Sequence, residues 1–366
     1  MRVLMVSKAC IVGAYQKKLE ELARLPEVEL TVVVPPYWRD ERGAIQLERQ
    51  HTAGYHLVVE PMALNGNFHL HVYPGLGRQI GRVHPDLVHI DEEPYNLATA
   101  HALWLARRVG AKSLFFSWQN IGRRYPLPFR WLEHQVLTHV DYAIVGNQAS
   151  RQVWQAKGYR GRIAVIPQFG VDPEIFHPAS RPAGRGFIVG YVGRLVEEKG
   201  VDLLLEALAG LAGVWRAYIL GSGPALEGLR NQARRLGLAD RVSFDTWIPS
   251  GQMPAYYHQL DALVLPSRTR PNWKEQFGRV LLEAMACGVP VIGSDSGEIP
   301  HVIGDAGLIF PEGQVDILHA HLSRLLADPG LRTDLACRGR ERVLTCFTQA
   351  QIAAQTYQVY QTVLST

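Results

Sequence analysis

Short apolar runs alternate with amphipathic segments along most of the chain. RVLMVSK (2–8), ELTVVVP (29–35), LVHID (87–91), SLFFSW (113–118), YAIVGN (142–147) and IAVIPQF (163–169) read as strands, because they are short, rich in β-branched and aromatic residues and bounded by turn formers. Between several of them lie helical patterns: YQKKLEELARL (15–25), NLATAHALWLARRVG (96–110) and QASRQVWQAKG (148–158), the last ending on a glycine where a helix C-cap is expected. Strand–helix alternation predicts a parallel sheet with helices on both faces.

The pattern breaks at GVDPEIFHPASRPAGRG (170–186), which is rich in Pro and Gly and has no period; it reads as a linker. The alternation then restarts with FIVGYVG (187–193), WRAYILG (215–221), VSFDTW (242–247), ALVLPS (262–267), PVIGSD (290–295) and GLIF (307–310). TQAQIAAQTYQVYQTVL (348–364) closes the chain as a helix, opened by Thr348 with Gln351 three residues on, a capping-box signal. The expected architecture is α/β, two Rossmann-like doubly wound domains facing a cleft. The first covers 1–169, the linker 170–186 and the second 187–347, with a helix at 348–366 that could pack back on the first. Ligands of such sheets sit beyond the carboxyl ends of the strands, so the cleft is the expected site.

Composition supports two globular domains: 366 residues, 47% apolar and 20% charged. The net charge of +4, from 38 basic and 34 acidic residues, is too small to suggest nucleic acid, but it suits an anionic substrate or a membrane surface. Cys10, Cys287, Cys337 and Cys346 lack CxxC spacing, which reads as a reduced cytoplasm and no zinc site. MRVLMVSKACIVG could pass for a signal peptide, yet Ser7 and Lys8 interrupt its apolar run and no small-residue cleavage site follows; a first strand is the better reading. The most apolar stretch, 201–220, contains Asp202, Glu206 and Arg216, so no bilayer span is expected.

Chemistry concentrates at the expected strand ends. In YVGRLVEEKG (191–200) a strand ends at Gly193, leaving Arg194 and Lys199 in the connecting loop; they read as phosphate-gripping cations or as solvated loop charges. Gly221 of GSGP (221–224) would let backbone N–H groups approach a ligand, or make a plain turn. RTRPNWKEQFGRVLLEAMACG (268–288) leads into a helix, with Gly278 near its start and Gly288 past its end. Its first-turn N–H groups, at Phe277, Gly278, Arg279 and Val280, would form an anion site suited to a diphosphate. Glu275 precedes that site and Glu283 follows it, about 7 Å into the helix at ~1.5 Å per residue. The two carboxylates could then accept hydroxyls on either side of the diphosphate, with Val280, Leu281 and Met285 toward the core. The plainer alternative is an amphipathic helix with one exposed Glu. In HIDEEPYN (89–96), Asp91, Glu92 and Glu93 crowd another strand end, a costly arrangement unless solvent or a ligand relieves it; an acceptor-facing role competes with an exposed acidic turn. GRRYPLPFRW (122–131) interleaves Arg123, Arg124 and Arg130 with Tyr125, Phe129 and Trp131. It reads as a membrane-surface segment or as a loop entering a helix with Phe129 and Trp131 packed inward. His69, His71, His84, His89, His101, His134 and His139 have no metal-ligand spacing.

Glu275-x7-Glu283 within EQFGRVLLEAMACGVPVIGSDSGEIP resembles the retaining glycosyltransferases of family 4, which have the GT-B fold. YVGRLVEEKG is similar to that family's diphosphate-binding segment, QFGVDPEIFHP (168–178) to the start of its linker and VIGDAGLIF (302–310) to the strand after its donor site. These matches follow the family's order from about 142 to 330. The resemblance implies that Arg194 and Lys199 neutralise a donor diphosphate, Glu275 binds hydroxyls of the donor sugar, and Phe277 and Gly278 offer backbone N–H groups. Glu283 would take the ribose hydroxyls, with the nucleobase near Trp247 and Ile248. Gly13 stands alone where many relatives carry a glycine pair, and Gln119 stands where many carry a histidine; a glutamine can bond a sugar hydroxyl but cannot act as a base. The implied reaction is metal-independent, front-face transfer from a UDP- or GDP-sugar, with no separate cofactor, to a glycan or lipid-linked acceptor. The departing phosphate oxygen would take the acceptor's proton. The expected location is cytoplasmic, with peripheral contact at the inner membrane face left open. A sugar-nucleotide 2-epimerase of the same architecture and a catalytically weak nucleotide-sugar-binding protein are the alternatives.

Overall fold

Residues 3–6 are buried on both faces of the first strand, which places that strand in the middle of a sheet. The computed structural model describes residues 1–40, 43–180 and 186–365 and divides into two units, Met1–Gly170 with Gln349–Thr366, and Val171–Thr348. In the first unit the strands are β1 (Arg2–Val6), β2 (Glu29–Val34), β3 (Tyr37–Asp40), β4 (Gly43–Gln46), β5 (His56–Val59), β6 (Leu87–Ile90), β7 (Lys112–Ser117), β8 (Tyr142–Val145) and β9 (Arg162–Val165). Among the described residues seven of them form a parallel sheet in the order β5-β2-β1-β6-β7-β8-β9, while β3 and β4 form an antiparallel pair. The chain leaves β1 toward β2 and β5, then returns at β6 on the other side of β1. The strand order therefore reverses between β1 and β6.

The side-chain alternation of β1 feeds two cores. Val3 and Met5 join Leu19, Leu22 and Leu30 on one face. Leu4 and Val6 join Leu76, Ile80 and Ala102 on the other. The last helix, Gln349–Leu364, belongs to the first of these faces: Ile352, Val359 and Val363 pack there, beside the helix Gly13–Ala23. Tyr360 meets the His89 Nδ1 through its hydroxyl at 2.7 Å.

The second unit holds β10 (Phe187–Val192), β11 (Trp215–Leu220), β12 (Val242–Asp245), β13 (Ala262–Leu265), β14 (Val291–Ser294) and β15 (Leu308–Phe310). They form a parallel sheet in the order β12-β11-β10-β13-β14-β15, so here the order reverses between β10 and β13. Of the expected linker, the Val171 N–H donates to the Phe347 carbonyl at 2.9 Å, and Arg340 donates to the Phe176 carbonyl at 2.9 Å; residues 181–185 lie outside the described residues. β5 and the β3–β4 pair were not anticipated from the sequence. Among the described residues no helix is long and apolar enough to cross a membrane, and no group of three or more His, Cys, Asp or Glu could hold a metal ion.

Candidate functional site

The second unit's site is built at its strand-order reversal. After β10 the chain passes Gly193 and the exposed Arg194, makes a 3-10 turn at Glu197–Lys199 and enters the helix Val201–Ala209 through Gly200, at φ +66°. A side chain at Gly200 would meet the Pro266 carbonyl 2.0 Å away, so only glycine lets this turn lie against the end of β13. That approach brings Lys199 to Glu275: Nζ donates to the carboxylate at 2.5 Å and lies 4.9 Å from the Trp273 ring centroid. Glu275 is buried, and its carboxylate also accepts from Ser267 Oγ at 2.8 Å. Its backbone is held by Gly297, at φ +57°, where a Cβ would fall 2.1 Å from the Glu275 carbonyl. The Glu298 N–H donates to that same carbonyl at 3.2 Å.

Gly278, at φ +75°, opens the helix Arg279–Ala286. Glu283 is buried on it, which overturns the alternative of an exposed helical Glu. Its carboxylate is held from two sides, by the Tyr257 hydroxyl at 2.7 Å and by Arg279 Nε at 2.9 Å. Burial, and then the Glu283 charge, push the Tyr257 hydroxyl well above its ordinary range, so Tyr257 stays a donor. Leu281 and Met285 are buried as expected, whereas Val280 is only half-buried. Phe277 packs edge-on to Phe347, centroids 6.1 Å apart. The Gly193 N–H donates to the Leu220 carbonyl at 3.0 Å, and the Gly221 N–H, read either as approaching a ligand or as part of a plain turn, donates to the Asp245 carbonyl at 2.8 Å. Trp247, 74% exposed, and half-buried Ile248 follow β12 at the sheet's edge.

In the first unit the three carboxylates after β6 do not form an exposed turn. Asp91 is buried and accepts from Ser7 Oγ at 2.5 Å and from Gln168 Nε2 at 2.9 Å. Glu92 is buried against Lys8, with His71 Nε2 at 3.3 Å. Burial works against its charge, but Lys8 and His71 together outweigh that and bring it down to about 2. Glu93 accepts from Ser117 Oγ at 2.6 Å and from the Trp118 N–H at 2.8 Å. Burial dominates there and raises it to about 7. Gln119 is buried; its amide donates to the Ile121 carbonyl at 3.0 Å, and its Oε1 has no partner among the described residues. The Gly13 N–H donates to Glu48 Oε2 at 2.7 Å. Trp131 does not pack inward: it is 56% exposed beside exposed Arg130, while Leu127 is 75% exposed and Phe129 lies 4.8 Å from the His69 ring. Sequence reasoning missed Tyr257 and Ser267, which hold the two glutamates, and noticed Lys8 only as an interruption of an apolar run.

The family model described as "Glycosyl transferases group 1" matches residues 172–342, and "Glycosyltransferase Family 4" matches 19–175. A D-inositol 3-phosphate glycosyltransferase of Mycolicibacterium smegmatis is 32% identical over 285 residues, covering 72% of this chain and 57% of that protein. A GDP-mannose-dependent alpha-(1-6)-phosphatidylinositol monomannoside mannosyltransferase of the same organism is 37% identical over 186 residues, 48% of this chain and 49% of its own. The chain thus spans about half the length of these relatives. Among solved structures, Anabaena Alr3699/HepE in complex with UDP superposes with a TM-score of 0.75 at 18% identity, over 99% of this chain and 100% of that one. A sucrose-phosphate synthase from Thermosynechococcus elongatus gives 0.73 at 21% identity, over 100% and 99%. At such identities these structures speak for the fold alone.

Proposed function

This chain belongs to the group 1 glycosyltransferases of family 4, and from that premise we propose that it moves a sugar from a UDP- or GDP-linked donor to a hydroxyl acceptor, a glycan or a lipid-linked glycan. The carrying observation is the Lys199–Glu275 pair at the β10–β13 reversal, whose glutamate lies on the same loop-and-helix segment as Glu283. A cation and an acid in contact suit the junction of a phosphate with a sugar: Lys199 takes the phosphate and Glu275 a sugar hydroxyl. Arg194 adds charge, and Glu283, already oriented by Tyr257 and Arg279, takes the ribose.

In the proposed reaction the bond from the anomeric carbon to the phosphate oxygen breaks. The acceptor oxygen bonds to that carbon on the same face, and its proton passes to the departing phosphate, so configuration is retained. Arg194, Lys199 and the start of the helix Arg279–Ala286 absorb the charge of the leaving group, so chelation by EDTA should leave turnover unchanged. Calorimetry with UDP and GDP tests the assignment. Arg194→Ala and Lys199→Ala should each weaken binding about tenfold or more, since a charge-assisted contact contributes about 1.5–3 kcal/mol; unchanged affinity in both variants refutes it. Incubation with a nucleotide sugar and no acceptor should give slow hydrolysis; an epimeric nucleotide sugar would instead identify an isomerase. The work would take place at the cytoplasmic membrane face, where exposed Leu127, Trp131 and Arg130 suit anionic lipid. Failure to co-sediment with anionic vesicles would remove that part.

A further inference from the structure

Between β13 and the helix Arg279–Ala286 the chain folds into a small hairpin. Arg270 and Trp273 bridge as an antiparallel pair: the Arg270 N–H donates to the Trp273 carbonyl at 2.6 Å, and the Trp273 N–H to the Arg270 carbonyl at 3.1 Å. The exposed Pro271 and Asn272 form the tip, and proline second and asparagine third are residues that such a turn selects.

The hairpin is fastened on both sides. The Arg268 N–H donates to the Glu198 carbonyl at 2.7 Å, and the Arg268 and Arg270 guanidinium groups pair with Asp202 and Glu197. Those partners lie on, or just after, the 3-10 turn that carries Lys199. On the other side Thr269 donates through its N–H and its Oγ1 to the Glu312 carboxylate, each at 2.5 Å, and Oγ1 meets Ser296 Oγ at 3.0 Å. Glu312 follows β15 and Ser296 follows β14.

This fastening fixes the half-buried Trp273 ring over Lys199, with Nζ 4.9 Å from the ring centroid. Lys199 is thus held by Glu275 and by the ring, and the two contacts differ in kind. A carboxylate neutralises the ammonium that it holds. An aromatic face attracts the ammonium through its quadrupole and leaves the positive charge for an incoming anion. A lysine held in this way has already given up the side-chain freedom that a ligand would otherwise have to remove. Arg268 and Arg270, by contrast, are paired with acids.

We infer that Trp273 is a positioning residue, which holds the Lys199 ammonium ready for the donor diphosphate without taking its charge. The inference rests on the proposal that Lys199 takes the phosphate. It adds that nucleotide affinity depends on an aromatic side chain acting through that lysine.

The test is a double-mutant cycle on the full chain, read by calorimetry with UDP and GDP. Trp273→Leu keeps the backbone bonds of the hairpin and an apolar bulk but has no aromatic face. It should weaken both nucleotides about fivefold, the scale of a shielded cation–π contact. Trp273→Phe, with a smaller face, should recover affinity to within about twofold of the unsubstituted protein. In the Lys199→Ala background Trp273→Leu should change nothing, whereas a residue that merely shapes the loop would weaken binding there as well. An equal loss in that background, an unaffected Trp273→Leu, or no recovery with Trp273→Phe overturns the inference and leaves the phosphate assignment standing. If Lys199→Ala alone leaves affinity unchanged, or neither nucleotide binds, the phosphate assignment falls and the inference with it. Should Trp273→Leu fail to fold, Trp273→Phe carries the same cycle: its smaller loss must vanish once Lys199 is absent.

Discussion

Replacing Glu275 by glutamine should tighten the binding of UDP or GDP, even though it removes a residue of the proposed donor site. Lys199 Nζ donates to Glu275 Oε2 at 2.5 Å, and their side chains are only 17% and 9% exposed, so solvent screens the pair poorly. A diphosphate oxygen that takes a bond from the same ammonium stands about 2.8 Å from Nζ. It is then on the order of 5 Å from the Glu275 carboxylate. At an effective dielectric of about 20, two like charges at that distance repel by about 3 kcal/mol. Glutamine keeps the shape and an oxygen for Lys199 and Ser267 but lacks the charge. Water admitted with the ligand will reduce the effect, so a gain of about 1 kcal/mol, roughly fivefold, is expected. The folded unit should lose stability, because Lys199 no longer has a charged partner in a shielded place. Calorimetry with UDP and GDP, then with UDP-glucose and GDP-mannose, reads both halves of the claim: the nucleotides gain, whereas the sugar-linked donors gain less or lose. If Glu275→Gln weakens the bare nucleotides, Lys199 is not where the diphosphate binds and the reasoning fails.

Tyr257→Phe leaves the Glu283 carboxylate, among the described residues, with Arg279; losing a bond to a charged group costs about 1.5–3 kcal/mol. Thermal stability should fall and UDP or GDP affinity with it, and an affinity equal to that of the parent would show that Tyr257 does not orient Glu283 for the ribose. Glu93 titrates at about 7 in the folded unit, whereas an unfolded glutamate titrates near 4.3. The folded chain therefore binds more protons across that window, and stability should fall as pH rises from about 4.3 through 7. Glu93→Gln should flatten that slope in chemical denaturation; an unchanged slope would place the proton elsewhere. Gly297→Ala should push the Glu275 carbonyl aside and lower affinity for a sugar-linked donor more than for the bare nucleotide, as measured by calorimetry. Equal losses would mean the displacement does not reach the sugar.

The central strands were legible because both their faces are buried, so β1 after Arg2 reads as an unbroken apolar run and β6 as one interrupted only by His89. β4 is exposed and has no apolar run to announce it, whereas the apolar run of β5, Leu57–Val59, is only three residues long and half-buried. The Glu275–Glu283 spacing was visible because both residues lie on one short segment. The Lys199–Glu275 contact was not, since it joins residues 76 apart through the β10–β13 pairing. The crowding of Asp91, Glu92 and Glu93 was evident, but its relief was not. Ser7, Lys8, Ser117 and Gln168 reach them from three other strand ends, and no local pattern encodes that meeting. Trp131 was misjudged because an aromatic in a helical register is ordinarily a core residue; nothing in its neighbours says which side of the helix faces water.

Gly170 and Gln349 stand side by side: the Gly170 N–H donates to Gln349 Oε1 and its carbonyl accepts from Gln349 Nε2, each at 3.0 Å. Between them the chain makes the whole excursion from Val171 to Thr348. That excursion is one uninterrupted stretch and could be expressed by itself, whereas cutting the gene at 170 would strip its partner of the helix bearing Tyr360. A short peptide joining 170 straight to 349 would keep that helix, so the two halves can be prepared separately and each ligand assigned to its owner.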